Sequence, residues 1–533
     1  MVNFNSFKKI KFRYYWGIIS LIIAHATINH IWLKKDNFPL WYDYAGYFKR
    51  SIEIYYALPK GFATFVEAIL GIGRYISAYR PHRIILPLSS IPWYFIFGLD
   101  PDVAIMGSTA FLAISLFSIY AIASRLFDKK TGLMAAFILS VSPGFFTLYR
   151  RYSPEFATIA LVALAAYSLL RSQNFQSRLY SILFGIGFGL SMITKEMALA
   201  FIPGILIYAV YKSQLFYIYN PITKERKKAL INLIISLLVA GIIILPIYWL
   251  HRYSILGEIF HVAYSPQMRT LYGMVGPYSL QGLIFYFKRM FDFSFLPFYS
   301  IFFVWGIFYY AREKSKNKGF IFCWLISSYI MLCSTQTRTW VYSVPLLIPL
   351  AIIAAYGINK IFKGRIIRVI FLIFIITWGI AQLLFYSFPI VKLNKLSIVR
   401  RLSSAEEFYP VNEDWKLDNV LDCIRGNLDN PNSVYRVHVG ANLYAFSPMT
   451  LSYVATQKRL NLLFSSYDIT PEEALTCDFV IIKKWGDQGI FYSPQEAKEL
   501  ADNLDKNNKF VKLPNSFIFP DKSAVEIYKK ILE

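Results

Sequence analysis

The chain has 533 residues, of which 56% are hydrophobic, 18% aromatic and only 17% charged, and its mean hydropathy is +0.42. So little charge cannot cover the surface of a water-soluble protein of this length, and most of the chain is expected to contact lipid. The net charge of +24 does not point to nucleic acid, because the Lys and Arg residues fall in short groups between apolar runs and form no continuous basic face.

The start, MVNFNSFKKIKFRYYWGIISLIIAHATINHIWLKK, contains no small-residue cleavage site and reads as a retained first span. Further apolar runs of bilayer length follow near 103–127, 132–149, 156–171, 179–194, 197–212, 229–250, 291–310, 319–335, 341–358 and 366–388, about eleven in all with the first near 14–33. RIILPLSSIPWYFIFGL is short and carries Pro87 and Pro92, so it reads as an interfacial or re-entrant segment. The connections divide by charge. KKIKFR, RLFDKK, RSQNFQSR, YKSQLFYIYNPITKERKK, REKSKNKG and NKIFKGRIIR are strongly basic and are expected in the cytoplasm. The alternate set, which includes the stretch around Asp43, RRYSPE, TKE, residues 251–292 and STQTRTW, is then outside. The N-terminus is predicted cytoplasmic.

From about residue 390 the composition becomes that of a soluble domain. DWKLDNVLDCIRGNL, SPMTLSYVATQKR and SPQEAKELADNL have helical periodicity, whereas SVYRVHVG, CDFVIIKKW and SAVEIYKKI read as strands. The expected fold class is therefore an α-helical polytopic membrane protein with a small C-terminal α/β domain. The membrane domain is placed at 1–389, with an outer loop at 34–102 carrying interfacial helices, and the extracytoplasmic domain at 390–533. Cys323 and Cys333 lie in an apolar run, and Cys423 and Cys477 in the tail leave one bridge open.

Ionisable residues at membrane depth are costly and mark candidate sites. Asp43 lies just past the first span, and in YDYAGYFKRSIEIYY a helix would put Tyr47 and Arg50 on its face. RRYSPE offers Arg150, Arg151 and Glu155, MITKEMA offers Lys195 and Glu196, and TRTWVYSVP offers Arg338 and Tyr342. Carboxylates and cations at one outward level suit an anionic phosphate leaving group and a hydroxyl that needs a base. Plainer readings stand beside these. Asp43 could be a solvated loop carboxylate in an aromatic belt, S-P-E could simply start a helix at Glu155, and Lys195 or Arg338 could anchor an interface. His251 and His261 lack metal-ligand spacing; a divalent metal is left open but is not indicated by spacing, and no cofactor is named.

The order of these parts resembles the GT-C membrane glycosyltransferases, in the branch of the protein O-mannosyltransferases and the aminoarabinose transferase. Asp43 with Tyr47, RPHRIILPL, RLFDKKTGLMAAFILSVSP, Glu155, GFGLSMITKEMALAFIPG and RTWVYSVPLLIPLAIIAAYG carry the resemblance over about residues 1–385. Tyr44 stands where that branch often has Glu, and Glu155 where Asp is commoner. The resemblance implies an inverting transferase in the cytoplasmic (inner) membrane, acting at its extracytoplasmic face. The donor would be a polyprenyl-phosphate sugar, and the acceptor a hydroxyl of a lipid, polysaccharide or protein. It implies Asp43 as base and Glu155 as second acid. Lys195 and Arg338 fall to the donor phosphate by the family pattern and Arg151 by proximity. Tyr47, Arg50, Glu196 and Tyr342 are assigned to the substrate cavity. A lipid transporter or flippase, or a polysaccharide polymerase or ligase, is the alternative. Transport would favour internal repeats, of which none is evident.

Overall fold

The computed structural model describes residues 4–75, 79–216, 223–271, 274–313, 318–361, 364–389, 409–465, 470–489 and 493–531. The expected domain boundary near 390–408 and parts of the basic connections at 211–228 and 312–319 lie outside them. By compactness the chain forms two units: Met1–His30, Pro81–Leu86 and Met106–Tyr409 make the first, and Ile31–Arg80, Pro87–Ile105 and Pro410–Glu533 the second.

The first unit is helical. Every apolar run in the sequence falls on a helix or a broken pair of helices, because no other backbone satisfies its polar groups in hydrocarbon. Among the described residues six helices are long and apolar enough to cross a membrane, and up to eight if each bent pair is one span. The bends have local causes. Lys129–Ser140 turns by 64° into Pro143–Tyr149, and Leu280–Ser294 turns by 118° into Leu296–Arg312. In each pair the second helix carries a proline in its first turn, which supplies no N–H to a preceding turn. Arg178–Met192, Lys318–Cys333 and Pro203–Lys212 are shorter than the runs suggested; the last is cut by a 3-10 turn at Glu196–Ala200 and by Pro203. Ile85–Phe97, expected at the interface, is a short apolar helix.

Burial sorts these helices. Trp340–Ile361 is 94% buried over its apolar window, whereas Lys224–Leu250 and Ile366–Phe385 are 22% buried. A helix that is apolar all round yet uncovered needs a lipid solvent, so the latter two are outer helices of the bundle. Inner helices approach closely through glycine. A Cβ on Gly306 would lie 2.1 Å from the Ile353 carbonyl, and one on Gly357 would lie 2.4 Å from the Phe302 carbonyl. Leu296–Arg312 and Leu347–Ile361 therefore pack backbone to backbone.

The second unit joins early and late sequence. Its sheet has the order β2-β1-β3-β5-β4, with β1 Tyr435–Val439, β2 Leu462–Phe464, β3 Phe479–Lys484, β4 Phe510–Ile518 and β5 Ala524–Lys530. β1 is parallel to β2 and β3; β5 is antiparallel to β3 and β4. The three strands read from sequence are present. β2 and β4 escaped notice because one has three residues and the other contains Pro514. Helix Tyr42–Ala57 packs on helix Pro448–Gln457 through Phe48, whose ring meets Tyr453 edge-on at 5.5 Å. Ser51 and Tyr94 share a hydrogen bond of 2.6 Å beneath it. Cys423 and Cys477 are unbonded.

Candidate active site

In the second unit Asp43 occupies the first turn of helix Tyr42–Ala57, where the unpaired N–H groups and the helix dipole favour an anion. Tyr79 donates its hydroxyl to Asp43 Oδ1 at 2.5 Å, and Arg80 Nη1 lies 3.4 Å from Oδ2. The carboxylate stays 46% exposed, so it can still meet another molecule. Burial first, and then the Asp43 charge, push the Tyr79 phenol well above its ordinary range, which keeps it a proton donor. Tyr47 meets the Tyr79 ring edge-on at 5.4 Å. Gly46 makes room for that ring: a Cβ there would stand 2.5 Å from it. Tyr47 thus reaches Asp43 through Tyr79. Arg50 turns away, donating to the Ile69 carbonyl at 3.1 Å and pairing with Glu53 at 3.6 Å.

In the first unit Ser153 and Pro154 start helix Pro154–Arg171, with Glu155 in its first turn. Both Glu155 and Lys195 are buried, at 6% and 4% exposure. Lys195 Nζ donates to Glu155 Oε1, while Ser153 Oγ donates to Oε2 at 2.6 Å. The ammonium also lies 5.0 Å from the centre of the Tyr342 ring. Glu155, Lys195 and Tyr342, far apart in sequence, therefore form one buried group, a charge pair capped by an aromatic face. Arg151 lies over the neighbouring Trp340 ring at 5.9 Å, and Arg150 donates to Ser387.

Glu196 parts from Lys195. The 3-10 turn that begins at Glu196 sends its carboxylate to His82 Nε2 at 2.5 Å and to Arg83 at 2.8 Å, and Arg83 also reaches Glu258 at 2.8 Å. Burial alone would raise the Glu196 carboxyl, but Arg83 and His82 outweigh it and hold the group well below the usual carboxylate range. Arg338, assigned from sequence to the donor phosphate, is bonded to backbone carbonyls. It donates to the carbonyls of Leu332 at 3.0 Å, Cys333 at 3.3 Å and Gly276 at 3.5 Å, and lies over Tyr286. Two of those carbonyls end helix Lys318–Cys333, so the guanidinium caps it. Among the described residues no three His, Cys, Asp or Glu side chains are grouped to hold a metal ion.

A family model described as dolichyl-phosphate-mannose-protein mannosyltransferase matches residues 93–249. Among solved structures, ArnT from Cupriavidus metallidurans bound to undecaprenyl phosphate superposes with a TM-score of 0.61 at 13% identity, over 96% of this chain and 98% of that one. The arabinofuranosyltransferase AftD from mycobacteria gives 0.57 at 11% identity, over 97% of this chain and 40% of that one. The archaeal oligosaccharyltransferase AglB from Archaeoglobus fulgidus, in complex with an inhibitory peptide and a dolichol-phosphate, gives 0.50 at 12% identity, over 88% and 69%. All three are GT-C membrane glycosyltransferases. This chain has the GT-C fold. No curated protein matches it in sequence.

Four residues of this chain that hold the expected carboxylates were not singled out from sequence: Tyr79, Arg80, His82 and Arg83. A signal existed. YRPHR puts three basic side chains in a loop expected outside, where the charge rule disfavours them. Arg80 lies against Asp43, and Arg83 against Glu196 and Glu258.

Proposed function

We propose that the protein is an inverting glycosyltransferase that moves a sugar from a polyprenyl-phosphate donor to an acceptor hydroxyl. It does so at the extracytoplasmic face of a cytoplasmic membrane. The observation that carries this reading is Asp43, a half-exposed carboxylate at a helix start, aligned by Tyr79 and flanked by Arg80. A neighbouring guanidinium favours the anion, which is the form that accepts a proton. The shared fold supports the donor class, since two of the similar structures hold a polyprenyl phosphate, undecaprenyl phosphate or dolichol-phosphate.

In the reaction the acceptor hydroxyl gives its proton to Asp43 and its oxygen bonds to the anomeric carbon. The bond from that carbon to the lipid phosphate breaks on the opposite side, and the phosphate leaves with the electron pair. Stabilising that anion is the main electrostatic task. Lys195 and Arg151 are assigned to it, Lys195 by exchanging Glu155 for a phosphate oxygen. The membrane domain is taken as 1–389 with its N-terminus in the cytoplasm, and the domain from 390 as extracytoplasmic.

Membranes containing the protein are offered radiolabelled polyprenyl-phosphate sugars one at a time. Label transfer from one donor, reduced at least a hundredfold in Asp43→Asn, is the expected result. Equal transfer by both proteins removes Asp43 as base, and no transfer from any donor removes the transferase.

A further inference from the structure

β1 is the central strand of the parallel part of the sheet in the second unit. The chain leaves β1 toward β2, but leaves β3 toward β5 and β4, so the loops at the carboxyl ends of β1 and β3 diverge. Open sheets place ligands where such loops part. Here the two loops are stitched along a short seam: Asn442 N–H donates to the Gln488 carbonyl at 2.8 Å, and Asn442 pairs with Gly489. Gly489 has φ +90, and a Cβ on it would lie 2.0 Å from the Asn442 carbonyl, so the seam requires glycine.

Two side chains at the seam have unmet needs. Asn442 and Gln488 are each 1% exposed, and neither Asn442 Oδ1 nor Gln488 Oε1 has a donor among the described residues. The Gln488 amide cannot be reversed to cure this, because its nitrogen donates to the carbonyls of Lys483 at 3.0 Å and Trp485 at 3.3 Å. Two large rings lie exposed on the same loops, Tyr444 at 57% and Trp485 at 68%. Trp485 holds φ +66, a conformation unfavourable for a bulky residue, and its carbonyl also accepts from Lys483 at 3.1 Å. The Lys483 ammonium is buried against Asp521 at 2.8 Å, so it is engaged already and the seam offers it to no anion.

Acceptor oxygens that need hydroxyl donors, flat aromatic faces and, among the described residues, a lysine already engaged by Asp521 suit a neutral polyhydroxylated ring. Tyr42 connects the seam to the proposed chemistry. It precedes Asp43, donates to the Asn442 carbonyl at 3.2 Å, and its ring lies 5.0 Å from Tyr444. We propose that the seam at the carboxyl ends of β1 and β3 binds a saccharide ring of the acceptor. This rests on the reading of the protein as a glycosyltransferase with Asp43 as base.

Direct binding tests it apart from catalysis. The full-length protein in nanodiscs is titrated with a panel of neutral gluco- and manno-oligosaccharides, read by saturation transfer to the sugar C–H protons. The expected result is transfer from wild type and from Asp43→Asn, reduced at least fivefold in Tyr444→Ala and Trp485→Ala and retained in Tyr444→Phe. No binding by wild type, or equal binding by all variants, overturns the proposal. So does displacement of the saccharide by a short-chain prenyl-phosphate sugar, which would assign the seam to the donor, or binding of a Ser/Thr-rich peptide without any saccharide. Label transfer in the same nanodiscs reports separately on the transferase, so a binding site without transfer, or transfer without the site, can each be recognised.

Discussion

Tyr79 holds Asp43 by a hydrogen bond of 2.5 Å, and its ring occupies the space left by the missing side chain of Gly46. Asp43, the proposed base, is therefore positioned by a residue 36 places later in the chain, with a glycine fixing where that residue can lie. A hydrogen bond to a charged group contributes about 1.5–3 kcal/mol. Tyr79→Phe is expected to lower kcat roughly tenfold or more, with KM for either substrate little changed. Gly46→Ala should reproduce the loss with both Asp43 and Tyr79 intact. Steady-state kinetics on the two variants checks this. A wild-type kcat in Gly46→Ala removes the positioning role.

The buried pair of Lys195 and Glu155 sets a second test. Lys195→Met strands a buried carboxylate, at a cost of about 3–5 kcal/mol. Adding Glu155→Gln removes the stranded charge and should restore most of the melting temperature without restoring transfer. If the double variant recovers both stability and activity, the pair is structural and the lysine has no part with phosphate.

Arg338 gives the opposite expectation. Its donors end on the carbonyls of Leu332, Cys333 and Gly276, and a lysine cannot span all three. Arg338→Lys should lower stability by about 1–3 kcal/mol and leave the donor KM within roughly twofold. A donor KM raised tenfold at unchanged melting temperature would return this arginine to the phosphate.

His438 makes the second unit sensitive to acid. Its Nδ1 lies 2.9 Å from Ser465 Oγ, and burial pushes its pKa down to about 4 from an ordinary 6.5. The unfolded chain takes up this proton near 6.5 and the folded one only near 4. Stability therefore falls as pH drops through that window and levels off below it. At about 1.4 kcal/mol per pH unit the loss is at most about 3.5 kcal/mol. His438→Asn, which keeps a polar partner for Ser465, should flatten the curve between pH 6.5 and 4 in thermal unfolding of the full protein. An unchanged slope removes His438 as the cause.

Membrane character was legible because it is written in composition, and helix positions because a bilayer leaves the backbone few choices. The α/β tail was legible for its strands with strong apolar patterns, β1, β3 and β5. Partnerships were not legible. Lys195 and Glu196 are adjacent and of opposite charge, which suggests one mixed site, yet they lie where helix Arg178–Met192 has ended and a 3-10 turn begins. The extended backbone at Lys195, φ −164, directs the two side chains to different partners. Local spacing cannot express that divergence. Arg50 shows the same limit: a helical face at i+7 from Asp43 is correct, but seven residues span two turns, and a guanidinium that far along finds Ile69 and Glu53 first.

The second unit takes Ile31–Arg80 from early in the chain and Pro410–Glu533 from its far end. At the ribosome, nearly four hundred residues separate the emergence of helix Tyr42–Ala57 from that of Pro448–Gln457, its packing partner. Throughout that interval Phe48 has the ring of Tyr94 beside it but lacks that of Tyr453, and is expected to offer a surface for premature association. A chain that stops short of residue 448 carries helix Tyr42–Ala57 without the partner that covers it, so truncation is expected to leave that face open to association.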